Sequence, residues 1–389
     1  MEVEMSAGAS TASSGTQQTS RITNAVIERY APLGAYGVLL GSLVGATGTT
    51  WDVQWHSDVG PDTFFTLPHL FLYSGSAISG IVSLTMVLMV TGAQRAGEQV
   101  PRWVGGVPIR VFGGRFTAPL GFLLSGCGAA SFLLYGLLDL WWHTVYGFDA
   151  VLASPPHFAL FVSGTVTDLG SIVTFAAARR FRWGTAGLMA QSSLVAAMTA
   201  VPFSALYLFK FDFNPISLGS AFIVPLVLLI VAGVLRSPLA PFGVAVIMGA
   251  LQAAFWWFSP WAAREYAAAV GLPLRDDLWG GAPAIPAMMP MFLVVFAAVA
   301  AGLLQLAKER AWQRRSMTVI GAILGSLAGL GYLLQGALVY RQGTETLSSY
   351  LTVGVIGLIL GALAGFLAQR IALMLRAPGN TIDPAGAIA

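Results

Sequence analysis

The chain has 389 residues, of which 56% are hydrophobic and 10% are charged, and its formal net charge is +3. Soluble domains carry roughly 25% charged residues, so this composition excludes an ordinary soluble protein and indicates an integral membrane protein. The basic residues lie between hydrophobic segments rather than along one face, which argues against a nucleic-acid partner. The single cysteine, Cys127, excludes both a disulfide within the chain and a zinc site built on several thiolates.

Ten apolar segments recur along the chain, each long enough to cross a bilayer core of roughly 30 Å. In lipid such segments must be helices, because every backbone polar group needs an internal partner; a closed barrel would show short alternating strands instead. We therefore predict an all-α fold, a polytopic transmembrane bundle of about ten helices. The predicted helices lie at about 29–49, 67–92, 116–140, 157–178, 185–208, 216–235, 239–259, 283–306, 317–340 and 350–374.

Four regions follow from this pattern. Residues 1–28 are rich in Ser, Thr, Ala and Gln and lack the order of a cleavable signal peptide, so we predict a disordered cytoplasmic tail. Residues 29–180 form a four-helix region, 181–376 a six-helix membrane scaffold, and 377–389 an irregular tail. With the N-terminus in the cytoplasm, 16 of the 20 Lys and Arg fall on the cytoplasmic side. This predicts an integral protein of the cell (plasma or inner) membrane.

All four histidines lie in two copies of one pattern, one in each half of the four-helix region. In both copies an Asp and a His are four residues apart, a second Asp follows the His by six, and Pro-His closes the unit. The copies comprise Asp52, His56, Asp62 and Pro68-His69, and then Asp139, His143, Asp149 and Pro156-His157. The ordered matches predict a duplicated N-terminal helical hairpin, with both units facing outward on the topology above.

Imidazole and carboxylate are ligands that copper and borderline divalent ions accept. Asp52 and His56 share one helix face if the first helix reaches them. Pro68 suits the first turn of the next helix, which places His69 near the same end. We predict a metal site formed by these three ligands, with an open position for water, oxygen or substrate. The second copy supplies the equivalent set Asp139, His143 and His157.

Further polar and soft side chains have two interpretations each. Asp62 and Asp149 are predicted to accept the remaining ring N–H of a ligand histidine. Asp168 lies at bilayer depth, where a carboxylate costs about 2.5–3.5 kcal/mol, and either relays protons or ties helices together. The tryptophans beside the histidines suit an aromatic belt as well as a metal site, and three methionines suit Cu(I) delivery as well as packing. These are Trp51, Trp55, Trp141 and Trp142, and Met288, Met289 and Met291.

Glycines recur at four-residue spacing in three of the predicted helices. Small residues on one face let two helix backbones approach closely, so these rows predict packing seams. The two rows nearest the C-terminus predict that their helices pack against each other or against another subunit. The rows are Gly37, Gly41 and Gly45, then Gly321, Gly325 and Gly329, then Gly357, Gly361 and Gly365.

The segment WDVQWHSDVGPDTFFTLPH resembles the metal-site segment of the C subunit of particulate methane and ammonia monooxygenases. It shares the Asp-x3-His-x12-His spacing, Trp55 before the first histidine, and an Asp-Thr-x-Phe-Thr run that begins at Asp62. The resemblance implies copper held by Asp52, His56 and His69 in a membrane-embedded, oxygen-activating assembly. It covers about 25 residues; the second copy has x13, and the soluble copper domain of that family's B subunit has no counterpart here.

Three hypotheses of function remain open. The first is a copper redox protein related to membrane monooxygenases, acting on O2 and a small apolar substrate from the lipid bilayer; iron and zinc are the alternative metals. The second is a metal transporter or outer-face metal receptor without catalysis, because repeated hairpins are typical of transporters. In the third, the Asp/His units are structural staples for assembly as a homo-oligomer or with other membrane subunits.

Overall fold

The computed structural model describes residues 8–60, 62–146, 154–275, 281–339 and 345–377, with side chains from residue 25 onward. Within these residues the chain forms twelve α-helices, two 3-10 helices and a two-stranded antiparallel sheet. Ten stretches are helical, long and apolar enough to cross a membrane, which confirms the predicted transmembrane bundle. The elements are α1 Gly8–Asp58, α2 Leu67–Arg95, β1 Pro108–Val111, β2 Phe116–Pro119, α3 Leu120–Tyr146, α4 Pro155–Ala177, α5 Arg182–Ala197, α6 Ala200–Ser204, a 3-10 helix Ala205–Leu208, α7 Ile216–Leu235, α8 Ala240–Val270, α9 Ala284–Met288, α10 Leu293–Ala307, a 3-10 helix Lys308–Trp312, α11 Arg314–Val339 and α12 Leu347–Arg376.

The first helix is longer than the sequence predicts. A disordered tail is predicted over 1–28, but α1 begins at Gly8 and continues to Asp58, so only residues 1–7 of that segment lie outside the described chain. The segment contains no proline, and its Ala and Gln residues are good helix formers. A helix already nucleated by the apolar segment extends through such residues at low cost. The predicted irregular tail 377–389 lies outside the described residues after Ala377.

The first four helices form two antiparallel hairpins, α1 with α2 and α3 with α4. In each hairpin a glycine of the first helix lies in close contact with the second helix. A Cβ built on Gly41 of α1 would overlap Ser79 of α2. A Cβ built on Gly128 of α3 would approach Thr167 of α4 in the same way. Both contacts bring the hairpin backbones close together. The ends of both hairpins that carry the Asp/His units therefore lie on one face of the bundle, here called the cluster face.

The remaining helices pack around α7, which contacts α5, α8, α11 and α12. Leu228, Leu229 and Val231 of α7 are fully buried in the main hydrophobic core. The helices α11 and α12 meet along the two predicted glycine rows, where a Cβ on Gly361 would overlap the carbonyl oxygen of Gly321. The prediction that these two helices pack against each other is confirmed.

The eighth membrane-spanning segment is broken rather than continuous. The sequence predicts one helix over 283–306, but α9 ends at Met288 and α10 begins at Leu293. Pro286 and Pro290 have no N–H to donate, so the helical hydrogen-bond pattern loses two donors within this short segment, which favours a break. Met289 at the break is fully buried, which fits the packing interpretation of this methionine better than a copper-delivery surface.

Three glutamines from three different helices satisfy the backbone of this break. Gln335 of α11 donates to the carbonyl oxygens of Ala287 (2.6 Å) and Met289 (2.8 Å). Gln252 of α8 donates to the carbonyl of Pro286 at 2.8 Å. The Oε1 atom of Gln54 in α1 accepts from the N–H of Ala284 at 2.8 Å. These side chains replace the missing helical hydrogen bonds, as irregular backbone at membrane depth requires.

Candidate metal centres

The first Asp/His unit folds into one cluster because α1 ends and α2 begins beside it. The helix α1 continues unbroken to Asp58, so Asp52 and His56 lie one turn apart on the same face. The helix α2 begins at Leu67 with a proline in its first turn, which places His69 in that turn. Gly60 has φ +104°, a conformation that glycine adopts without steric cost, and lets the chain reverse between the helices.

Four side chains converge here, and we call them cluster 1: Asp52, His56, Asp62 and His69. One ligand atom from each lies within 4.8 Å of all the others. The Nε2 atom of His69 is 3.1 Å from Asp52 Oδ1 and 3.2 Å from Asp62 Oδ2. The Nε2 atom of His56 is 3.1 Å from Asp62 Oδ2 and 3.9 Å from Asp52 Oδ1. The structure thus brings the three predicted ligands together and adds Asp62.

The orientation of the His69 ring decides what this cluster can do. Its Nδ1 atom lies 2.9 Å from the carbonyl oxygen of Thr63, which can only accept a hydrogen bond. Nδ1 therefore carries a proton, and in the neutral ring Nε2 is an acceptor. In the neutral ring this Nε2 acceptor would face two carboxylate oxygens, at 3.1 and 3.2 Å, and the lone pairs of nitrogen and oxygen would repel each other. Such an arrangement requires a positive charge, either an added proton or a cation.

The separations and the buried oxygens both fit a small cation. Ligand atoms about 2.0–2.2 Å from one ion, at angles of about 90–109°, are roughly 2.9–3.5 Å apart. Three of the four separations measured in cluster 1 fall in this range. The Oδ1 atom of Asp139 is buried and has no hydrogen-bond partner within the described chain, whereas that of Asp52 contacts His69 Nε2 at 3.1 Å. Buried oxygens of this kind are expected to have a partner, and a cation would provide one.

The position of Asp62 differs from its predicted role. The sequence predicts that Asp62 accepts a histidine N–H on the side away from the metal. Its side chain is 6% exposed, and its Oδ2 atom instead lies beside the Nε2 atoms of both histidines. The backbone carbonyl of Thr63 fulfils the predicted role for His69. The sequence gives no signal for this carbonyl, because any residue type supplies one.

The second unit forms a looser group, called cluster 2: Asp139, His143 and His157. The Nε2 atom of His143 is 3.4 Å from Asp139 Oδ2, and that of His157 is 3.9 Å from Asp139 Oδ1. Ser154 caps α4, and its Oγ lies 2.8 Å from His157 Nδ1. A Ser-Pro-Pro sequence is an N-cap signal, so this support is predictable. Asp149, predicted to accept a ring N–H here, lies outside the described residues.

The two clusters are close neighbours at the same end of the bundle. The carboxylate of Asp52 in cluster 1 is within electrostatic range of His157 in cluster 2. Tyr73 of α2 is within the same range of Asp139, Asp52 and Asp62. The ring of Tyr73 packs against α3 at Gly136, where an added Cβ would lie 3.1 Å from the ring. Tyr73 was not identifiable from the sequence, because it lies outside both copies of the repeated pattern.

Aromatic residues of α8 cover the two tryptophans that precede Asp52 and His56 in the sequence. Trp55 is 1% exposed and packs on Tyr266 with ring centroids 4.8 Å apart. Trp51 packs edge-on against Phe258 at 5.8 Å. These two tryptophans are therefore core residues and not members of an aromatic belt at the lipid surface, whereas Trp141 is 54% exposed.

A loop beyond α8 covers the turn of cluster 1. The N–H of Arg275 donates to the carbonyl of Asp58 at 2.6 Å. The guanidinium of Arg275 lies over Gly60, where a Cβ would overlap it, and reaches the His56 carbonyl at 3.4 Å. This contact depends on Gly60, so the glycine serves both the reversal of the chain and the docking of the loop.

Asp168 of α4 lies inside the bundle and not at either cluster. Its Oδ1 atom accepts hydrogen bonds from Ser42 of α1 and from Gln191 of α5, both at 2.8 Å. The carboxyl group therefore joins three helices. This geometry fits the predicted alternative in which Asp168 ties helices together, and the proton-relay interpretation stays a prediction.

We expect Asp168→Asn to keep the fold and the metal content of the protein, because the amide oxygen still accepts from Ser42 and Gln191. Asp168→Leu should lower the free energy of unfolding by about 2–5 kcal/mol, because it leaves two buried donors without an acceptor. Unfolding in detergent, followed by circular dichroism, measures both effects. Equal stability of the two variants would rule out the tie between helices.

No family model, curated protein or solved structure matches the chain. The resemblance to the copper monooxygenase C subunit therefore rests on the motif around His56 alone.

Proposed function

We propose that this chain is an integral membrane copper protein whose cluster 1 holds one ion and whose cluster 2 holds a second. The observation that carries the proposal is the acceptor arrangement at His69. Its tautomer is fixed by Thr63, and its Nε2 atom faces the carboxylates of Asp52 and Asp62. A metal ion bound there would take the place of the added proton on Nε2 and turn these contacts into ligand bonds.

The paired contacts of the two hairpins support a duplicated origin for the two clusters. Gly41 against Ser79 in the first hairpin corresponds to Gly128 against Thr167 in the second. These contacts stand at the same sequence offsets, 87 and 88, that relate the cluster residues. Each hairpin would thus provide its own ion site at its own turn.

The choice of copper and of oxygen chemistry rests on the resemblance to the monooxygenase C subunit. Bound copper would supply oxygen binding and one-electron redox chemistry. The protein residues would hold and orient the ion: Asp52, His56 and His69 as ligands, Asp62 as a fourth ligand beside both rings, and Thr63 to fix the ring of His69. A small apolar substrate would reach the cluster face from the bilayer. On the proposed topology this face is extracytoplasmic, and the protein lies in the cell membrane.

A resident ion accounts for the structure better than a transported one. A transport path needs polar side chains that lead inward from the clusters, and Asp168 is the acidic group placed to begin one. Its oxygen is engaged by Ser42 and Gln191. The side chain is thereby held in a contact between helices.

The test is the metal content per chain of the purified wild-type protein and of His56→Ala and His143→Ala, with EPR spectra of the same samples. We expect about two copper ions in the wild type and the loss of one in each variant, because each change removes a ligand from a different cluster. Iron or zinc at the same stoichiometry would replace copper in the proposal. Unchanged metal content in both variants would exclude both sites.

Catalysis is tested on the copper-loaded protein with a chemical reductant, oxygen and a short alkane. A hydroxylated product that disappears in His56→Ala supports the monooxygenase function. Full copper occupancy without product would assign the protein to metal binding without catalysis. Copper uptake into vesicles that depends on His56 would favour the transporter instead.

A further inference from the structure

A cavity of about 620 Å³ opens on the face opposite the clusters. It lies where α4, α7 and α12 end and where α5 and α8 begin. Three arginines line it: Arg179 and Arg180 from the turn after α4, and Arg376 from the end of α12. We call it the arginine cavity. No acidic side chain of the described chain contributes to its lining.

Backbone carbonyls hold two of these guanidinium groups in place. Arg179 donates to the carbonyl of Arg376 at 3.0 Å, and Arg376 donates to the carbonyl of Val234 at 2.7 Å. Arg180 lies over the ring of Phe181, with 4.7 Å from its guanidinium carbon to the ring centroid. The positions of the three charges are thus set by the fold before any ligand arrives. A guanidinium has five N–H donors, so Arg376 can bind its carbonyl and an anion together.

The positive charges are crowded. Burial, and then the neighbouring charge of Arg376, hold the pKa of Arg179 below its usual value. Arg236, at the end of α7, adds a fourth positive charge within electrostatic range of Arg376. Like charges at this density repel, and an anion in the cavity would relieve the repulsion. Planar guanidinium groups suit phosphate oxygens in particular.

Apart from Thr185 and Ser237, the rest of the lining is apolar. The apolar side consists of Met189 of α5, Leu235 at the end of α7 and Leu239 before α8, and Leu239 is 57% exposed. The cavity lies at the ends of membrane-spanning helices, at the depth where phospholipid headgroups meet acyl chains. A ligand with a phosphate at one end and a hydrocarbon chain at the other would match both sides.

We propose that the arginine cavity binds the phosphate group of an anionic phospholipid, with the acyl chain against Met189 and Leu239. Basic pockets between transmembrane helices are a recognised site for anionic headgroups. A soluble phosphate compound shares the headgroup chemistry and would use the arginines without the apolar side. The site is independent of the metal clusters, because it lies on the other face of the bundle.

The experiment measures lipid retention by native mass spectrometry, using full-length protein reconstituted in phosphatidylcholine with a minor fraction of phosphatidylglycerol. We expect one phosphatidylglycerol per chain to be retained in preference to phosphatidylcholine. The variant Arg180→Gln/Arg376→Gln should lose this preference, with affinity falling about fivefold for each arginine removed. Arg110→Gln is the matched control, because Arg110 is exposed on the same face and does not line the cavity.

A second arm separates lipid from soluble phosphate. Excess inorganic phosphate should leave the retained phosphatidylglycerol in place. Displacement by inorganic phosphate would reassign the cavity to a soluble phosphate compound. Equal retention by the double variant and the wild type, or an equal loss in Arg110→Gln, would overturn the proposal. The thermal midpoint of each variant in pure phosphatidylcholine shows that the fold is intact, so a loss of lipid is not a loss of structure.

Discussion

The variant Asp62→Asn is expected to lower the affinity of cluster 1 for copper by about a hundredfold or more. Changes to groups that merely support a ligand histidine cost 10–100-fold, and the Oδ2 atom of Asp62 lies beside the Nε2 atoms of both His56 and His69. The amide also removes one of two negative charges that offset the charge of the ion. Competition with a coloured copper chelator measures the affinity directly.

The matched control is Asp58→Asn. Asp58 lies on the same turn but accepts hydrogen bonds from Gln54 at 2.9 and 3.0 Å and does not belong to the cluster. We expect the affinity of cluster 1 for copper in this variant to stay within about twofold of the wild type, because the Asp58 carboxylate is held by Gln54 and supplies no ligand atom. An equal effect of both changes would mean that net charge at the turn, and not ligation by Asp62, determines the affinity.

The variant Gly361→Val is expected to force α11 and α12 apart. The free energy of unfolding should fall by about 3 kcal/mol or more. A Cβ at this position would overlap the carbonyl oxygen of Gly321 and would lie 2.8 Å from the Cα of Gly325. Both obstacles are backbone atoms, which cannot move aside as a flexible side chain can. The helices must separate, and the dispersion contacts along the seam are then lost.

Gly336→Val serves as the matched control for this change. Gly336 lies on α11, but no heavy atom lies within 4 Å of a Cβ built there. We expect the stability of this variant to stay within about 1 kcal/mol of the wild type, because Gly and Val differ by less than this in helix propensity. Unfolding in mixed detergent micelles compares the two. If Gly361→Val were as stable as Gly336→Val, the glycine rows would not be the contact that holds these helices.

The membrane-spanning helices were predictable because lipid imposes one requirement on every segment. About twenty apolar residues must pair all their backbone groups internally, so hydropathy alone locates the helices. The break after Met288 shows where this reasoning ends. The prolines near it allow a break, but its position depends on Gln54, Gln252 and Gln335, which come from three distant helices. Sequence patterns contain no such distant pairings.

The candidate ligands were predictable for a different reason. The side chains of Asp52 and His56 are neighbours on any helix, and the proline before His69 marks a helix start. The predicted role of Asp62 differed because a loop residue has no periodicity that fixes its direction. The closeness of the two clusters and the position of Tyr73 depend on how α2 packs on α3. The sequence contains no pattern that specifies this packing.

The sequence predicts a border near residue 180 between a region with the Asp/His units and a membrane scaffold. The hydrogen bond between Gln54 and Ala284 crosses this border, so the two regions are not independent folding units. The rings of Trp51 and Trp55 are covered by α8, which belongs to the second half of the chain. A polypeptide cut at that border would lose the α8 rings that cover both indoles, which directly precede Asp52 and His56 of cluster 1. Engineering of cluster 1 therefore has to treat α8 as part of the same unit, although α8 contributes no residue to the cluster.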